Sequence, residues 1–284
     1  MRVYEQVLRE SATRPVLLNA ARDEPRLGSF ARGGKLATTV RRSENGWIVD
    51  GHKAFVTGAS ILDYHLLLVS EEDTGQIGRV IVPGGSAGIS HTNAWDAVGM
   101  RASITHNVNY SGVEVPLGNF VPLDAELAPN RALIEATFMI GLSAIYLGVA
   151  RSARDELVRF LHDRVPASLG APLATVERLQ DAVGEVTAHL QISETILYEG
   201  SGRIDRGVDP SDPLIASVKL HCTRASVRAV ELAVQAAGSH GISAQAPLER
   251  HLRDVLCARL HPTPDDMLLR KLGNASLATE HWSR

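Results

Sequence analysis

AVQAAGSHGISAQAPLERHLRDVLCARLHPTP, Ala233 to Pro264, reads as the end of one helix, a glycine break, a short link, and a second helix closed by His261 and Pro262. Gly238 and Gly241 flank Ser239 and His240 and end the first helix, because glycine lifts the φ restriction and leaves the backbone bare for close approach. Arg253 and Asp254 sit in an amphipathic turn with Leu252, Val255 and Leu256. By itself this corner is compatible with plain helix packing, since a glycine spacing is a weak signal.

Working outward, helical periodicity runs back to about Leu127. The spacing predicts helices to about Asp163, from about Thr175 to Arg206, from Pro213 to Ala237, from Leu248 to Leu260, and from Asp265 to Leu277. Leu179, Val183, Val186 and Leu190 show the apolar repeat. Before them lie LATTVRR, GWIVDGHKAFVTGA, YHLLLVS, GRVIVPG and NVNYSGVEVP, β-rich runs separated by turn residues. A further strand-like run covers Arg14 to Asn19, and Met1 to about Ser11 looks like the tail of a helix. The expected fold is α+β: an antiparallel β-barrel or sandwich domain followed by a C-terminal up-and-down helical bundle. The expected boundaries are 1–13 for a remnant of an N-terminal helical domain, 14–118 for the β-domain and 119–284 for the bundle.

Bulk properties narrow the function. The chain has 284 residues, 44% hydrophobic and 21% charged, which suits ordinary globular domains. A net charge of -3 and no basic stripe argue against a nucleic-acid partner. Cys222 and Cys257 fall in helical patterns and read as buried thiols in a reduced, cytoplasmic compartment. The charged N-terminus lacks the apolar core of a signal peptide. Ala132 to Ala150 is mostly apolar, but Glu135 interrupts it and a charged helical stretch follows, so it reads as a core helix rather than a membrane span. No His-x-His, His-Glu-x-x-His or Cys-x-x-Cys occurs, and no metal site is expected.

Four blocks in order carry a family resemblance. They are Glu24–Ser29, Asn45–Ala59, Trp95–Pro116, and the Gln235-x-x-Gly238-x-x-Gly241 spacing followed by Pro247–Arg250 and Arg253–Asp254. Together they resemble the acyl-CoA dehydrogenase superfamily of flavoproteins, here lacking most of the N-terminal helical domain. The resemblance implies FAD, with FMN as the alternative, and a CoA thioester as the small-molecule substrate. It also implies a homo-oligomer, dimer or tetramer, and an electron-transfer flavoprotein or flavin reductase as a possible redox partner. It gives Phe55 and Thr57 to the isoalloxazine ring, and Gln235, Gly238, Ser239 and Gly241 to the rest of the cofactor. Arg164, with Gln180, falls near a cofactor-binding position of the family. Ser29 lies in the loop that touches the substrate. Phe55 replaces the family's usual Trp, and Phe30 its usual Asp.

The catalytic base departs from the family pattern. The commoner glutamate position after Arg253-Asp254 is Pro262, and the alternative position on the long helix is Phe138. Glu135, one turn from Phe138, is the candidate carboxylate. Tyr198-Glu199-Gly200 matches the family's Tyr-Glu-Gly but lies in the wrong block. His261 is the candidate acid/base, because the hydroxylase branch of the superfamily, the reduced-flavin monooxygenases, carries a histidine at this spacing and imidazole titrates near 6.5. Asp265 and Asp266, adjacent on a helix, point apart and read as caps rather than a catalytic pair. Three readings follow: a dehydrogenase, a monooxygenase, or a non-catalytic subunit.

Overall fold

The computed structural model describes residues 3–25, 35–93, 95–123, 131–207, 209 and 211–278. The chain divides into two compact units. One is Met1–Ala97 with Arg101–Pro129; the other is Val98–Met100 with Asn130–Arg284.

Among the described residues the first unit begins with helix α1 (Val3–Ser11) and carries eight strands. These are β1 (Leu18–Ala21), β2 (Thr39–Arg42), β3 (Gly46–Val56), β4 (Tyr64–Glu71), β5 (Ile77–Pro83), β6 (Ile89–Asn93), β7 (His106–Pro116) and β8 (Phe120–Pro122). The expected antiparallel barrel or sandwich is instead an open, mixed sheet. Its hydrogen-bonded order is β6-β7-β3-β2-β4-β5-β8, and no ladder joins β6 to β8 among the described residues. Two pairs are parallel: β1 runs along Tyr64–Leu67 of β4, and β2 along Ser70–Glu71. That edge of β4 is shared by two short strands. Alternation in a sequence fixes which face turns inward, not which edges pair.

The inward face is built of β-branched and aliphatic residues. Val40, Val49, Leu67, Val69, Val80, Val82, Val108 and Val113 are buried in one core, each worth about 1.5–3 kcal/mol relative to exposure. His65 of β4 and Tyr110 of β7 are three ladder steps apart, yet their side chains bond at 2.8 Å. The sheet therefore curls over its own inner face without closing. A second feature ties its loops together. Lys53 Nζ donates to Glu24 Oε1 at 2.7 Å, and the Glu24 carboxylate also accepts from the Ala37 and Thr38 amides.

The second unit holds α2 (Arg131–Asp163), α3 (Glu177–Asp205), α4 (Pro213–Ala237), α5 (Pro247–Val255) and α6 (Asp265–Ala278). Helix α4 starts with Asp212 accepting from the Leu214 amide and Pro213 at the first helical position, and it ends at Gly238 with φ 62°. It is the most enclosed helix of the unit. Val218, Cys222, Val227, Val230 and Ala233 sit in a core with Tyr146, Leu147, Ala150 and Leu157 of α2 and Leu179, Val186 and Leu190 of α3. Helix α2 is long and apolar enough to cross a membrane by length and composition. Part of it is core, while Leu133, Ile134, Phe138 and Ile145 stay exposed. The helix expected over Leu248–Leu260 is α only to Val255 and tightens to 3-10 geometry over Leu256–Arg259. Asp265 opens α6, and its carboxylate accepts from Arg224 Nε at 2.8 Å.

Candidate functional site

In the first unit the antiparallel β3–β7 register slips between Lys53 and Val56. A bulge of this kind re-aims a side chain. Here it carries Phe55 at φ 54°, in the left-handed region; the residue is 60% exposed and its ring stands edge-on to Trp95 at 6.2 Å. An aromatic residue held in this conformation stores about 1–2 kcal/mol of strain. Nothing in the sheet core requires that ring to face outward, so the strain marks the position. Two residues on, Thr57 Oγ1 lies 3.1 Å from Thr105 Oγ1, which lies 2.7 Å from Ser103 Oγ. The Thr57 carbonyl accepts from Asn19 Nδ2 at 2.8 Å, which fixes the turn. The result is an outward aromatic face beside three linked hydroxyls. Ser29 lies outside the described residues.

In the second unit His261 follows the 3-10 turn after α5. Its Nδ1 lies 2.6 Å from Tyr146 Oη and 3.1 Å from the Cys257 carbonyl. A carbonyl only accepts, so this pair of contacts assigns the proton to Nδ1, shared between both oxygens, and leaves the lone pair on Nε2. Burial pushes the imidazole below its usual value; the Cys257 carbonyl opposes this and the Lys219 charge adds to it. Burial first, then Cys257 and Asp254, raise the phenol of the fully buried Tyr146, so it stays protonated. His261 is thus a neutral imidazole with its free nitrogen set by a rigid neighbour. Glu135 is exposed, eleven residues before Tyr146 on α2. That spacing puts it about 16 Å along the helix axis from the residue that holds His261.

The Arg253–Asp254 pair has a structural task. Asp254 Oδ1 accepts from the Met100 amide at 2.6 Å, and Arg253 Nη1 donates to the Val98 carbonyl at 3.2 Å. Between them Gly99 is pressed against α5: a Cβ there would lie 2.0 Å from the Arg253 carbonyl oxygen. Sequence reading found both motifs but not their junction.

The glycine corner is open on one side. Gln235, Gly238 and Ser239 are exposed, and a Cβ on Gly238 would meet nothing within 4 Å. Gly241 is buried, and a Cβ on it would lie 2.5 Å from the Val234 carbonyl oxygen. His240 stacks on Phe160 at 4.1 Å, anchoring the corner to α2. Arg164, exposed just past α2, accepts through its carbonyl from the Leu173 amide, and Gln180 Nε2 donates to the Ala174 carbonyl. Among the described residues no group of three or more metal-ligating side chains occurs.

Each unit by itself carries features of a kind that suits part of a flat, anionic organic cofactor: the first an outward aromatic face with hydroxyl donors, the second bare backbone with polar side chains. Phe55 with Thr57, and Gln235 with Gly238–Gly241, are each grouped within their own unit; His261 and Tyr146 form a separate group. The missed residue of most weight, Tyr146, had one signal: a tyrosine inside an apolar helical run, where its hydroxyl must find a partner.

Comparison with known proteins agrees with this division. The sequence model described as "Acyl-CoA dehydrogenase, middle domain" matches residues 20–113, and "Acyl-CoA dehydrogenase, C-terminal domain" matches residues 140–265. The provisionally named acyl-CoA dehydrogenase YdbM of Bacillus subtilis is 29% identical over 264 residues, covering 90% of this chain and 67% of that protein. The cyclohex-1-ene-1-carbonyl-CoA dehydrogenase of Geobacter metallireducens is 26% identical, covering 96% and 72%. The mitochondrial short-chain specific acyl-CoA dehydrogenase of Sus scrofa is 26% identical, covering 85% and 58%. The chain therefore spans 58% to 72% of the lengths of these relatives. Among solved structures, the butyryl-CoA dehydrogenase of Megasphaera elsdenii superposes with a TM-score of 0.80 at 21% identity, covering 92% of this chain and 68% of that one. A glutaryl-CoA dehydrogenase of Mycobacterium smegmatis, in complex with FADH2, gives 0.79 at 21% identity, covering 94% and 67%. With both domain models matched in order along most of its length, the chain belongs to the acyl-CoA dehydrogenase family.

Proposed function

We propose that this protein is an FAD-dependent oxidoreductase acting on an acyl-CoA thioester. One observation carries the reading: within the region matching the family's middle domain, a bulge holds Phe55 outward at a strained φ beside the Thr57–Thr105–Ser103 hydroxyls. FAD, when bound, supplies two-electron redox chemistry. In this reading residues 14–118 present Phe55 as the wall for its ring and Thr57 as a donor, and Ser29 orients the substrate. Residues 119–284 supply Gln235, Gly238, Ser239, Gly241 and Arg164 to its polar parts. Such an assembly suits a homo-oligomer in the cytoplasm, passing electrons to an electron-transfer flavoprotein.

Dehydrogenation also needs a group that removes a proton α to the thioester carbonyl. Pro262 cannot do this. His261 Nε2, with its lone pair and a neutral ring, is the candidate that the geometry supports, and Glu135 is the carboxylate alternative. The same replacement favours a second reading, a reduced-flavin monooxygenase with a flavin reductase as partner and FAD or FMN as cofactor. There His261 removes a hydroxyl or amine proton from the substrate.

The test is a flavin titration followed by two assays. The purified chain is expected to take up FAD with a bound-flavin absorption band. Bleaching by acyl-CoA thioesters without oxygen supports the dehydrogenase. Oxygenated product formed only with NADH, a flavin reductase and oxygen supports the monooxygenase. In whichever assay responds, His261→Ala is expected to lower turnover by about 10²–10⁴ at unchanged flavin content. No flavin uptake overturns the reading, and unchanged turnover removes His261 from it. Phe55→Gly gives an independent check. Relief of the left-handed strain, less the entropy of glycine, is expected to raise stability by about 0.5–1 kcal/mol in urea unfolding while weakening flavin uptake. Unaltered uptake would show that the ring is not a cofactor wall.

A further inference from the structure

A groove of about 450 Å³ opens on the second unit between α3 and α4. None of the residues assigned above lines it. Ser217, His221, Arg224 and Arg228 stand at i, i+4, i+7 and i+11 along α4, which is one helical stripe, and His189 faces them from α3. Leu220 gives the groove an apolar lining, together with the arginine stems.

The groove is rich in donors. Arg224 gives Nε to Asp265 at 2.8 Å, and Arg228 gives Nη2 to Glu185 at 3.2 Å. Neither carboxylate lines the groove. One carboxylate oxygen thus engages a single donor of each guanidinium, which has five. His221 Nε2 is buried and has no hydrogen-bond partner. Burial, and then the charge of His189, hold His221 below its usual value. Two guanidiniums, each ion-paired to one carboxylate but with donors to spare, and two imidazoles around an apolar strip suit an anion with several acceptor oxygens attached to an apolar body.

We propose that this groove binds a phosphate monoester, with Arg224 and Arg228 on the phosphoryl oxygens, His221 and His189 completing the shell, and Leu220 against the organic group. Arginine is suited to this because its fork meets phosphate oxygens two at a time. An arriving dianion also favours the protonated form of His221, so binding takes up protons near neutral pH. The groups that face His221 in this titration are His189, Arg224 and Arg228, with Asp265 and Glu185 behind the guanidiniums.

The test is calorimetric titration of the full chain with phenyl phosphate and with inorganic phosphate, near pH 6.5 and in two buffers of different ionisation heat. Phenyl phosphate is expected to bind several-fold more tightly than inorganic phosphate, with net proton uptake. Arg224→Ala with Arg228→Ala should weaken it by about tenfold or more, while the double lysine replacement, which keeps the charge, should lose less. His221→Asn should remove most of the proton uptake. Equal affinity for the two probes, undiminished binding in the arginine-to-alanine variant, or no heat at millimolar phenyl phosphate would each overturn the proposal. The last result also covers a groove closed by a second copy of the chain. Flavin uptake plays no part in any of these outcomes.

Discussion

Lys53→Ala is expected to destabilise the β-sheet unit by about 3–5 kcal/mol, the cost of stranding one charge of a buried pair. The Lys53 side chain is wholly buried and that of Glu24 is 4% exposed, with 2.7 Å between Nζ and Oε1. Burial alone would raise the Glu24 carboxyl, but Lys53, Thr38 and the Ala37 amide together hold it below the usual range. Without the ammonium, the carboxylate keeps two amide donors and no countercharge. The double variant Glu24→Gln/Lys53→Met removes both charges and is expected to recover most of the loss, since neutral replacement of a buried ion pair is often tolerated. Urea unfolding followed by tryptophan fluorescence, to which Trp47 and Trp95 of the same unit contribute, measures all three proteins. A single variant that loses less than about 1 kcal/mol, or a double variant no better than the single, would show that the pair is not electrostatically coupled.

His65 makes the same unit acid-sensitive. Its ring is 1% exposed and bonded to Tyr110, and burial, then the charge of His91, push its pKa down to about 4. The unfolded value is about 6.5. Between the two, the unfolded chain binds a proton that the folded chain refuses, so stability falls as pH drops through that window. The expected contribution is roughly 2 kcal/mol lost between pH 7 and about pH 4.5. Tyr110 remains a phenol, because burial raises it, and it can serve either tautomer of the ring. His65→Gln keeps a polar partner for Tyr110 without a proton to refuse. Its unfolding free energy should therefore depend less steeply on pH over this range than that of the natural chain. Parallel pH profiles for the two proteins would exclude His65 as the source.

What the sequence discloses depends on the range of the interaction. The helices Pro213–Ala237 and Asp265–Ala278 are written locally, in Asp212, Pro213 and the 3.6-residue apolar repeat. The strands are equally local, in alternating valines. Sheet closure is not. Whether β6 meets β8 depends on pairings across the whole unit, and the parallel placement of β1 and β2 on β4 leaves no pattern in either short strand. The candidate site divides the same way. His261 stood out beside Arg253 and Asp254, and Phe55 and Thr57 within one strand motif. Tyr146 lies 115 residues from the histidine that it holds, and Lys53 lies 29 from Glu24, so neither partnership has a spacing rule to betray it. Phe55 itself is legible as a candidate wall, but its backbone strain arises from a register slip against β7 that only pairing reveals.

The short segment Val98–Met100 sets a limit on how this protein can be taken apart. The polypeptide passes between its two units three times, after Ala97, after Met100 and after Pro129. A single cut before residue 130 would carry off the tripeptide that Gly99, Arg253 and Asp254 seat on the helices, so a recombinant C-terminal fragment would be born with an unfilled furrow. Gene fusion or exchange of halves at one crossover meets the same obstacle. Modular trading of these units requires grafting a donor loop as well, or supplying the three residues as a separate peptide.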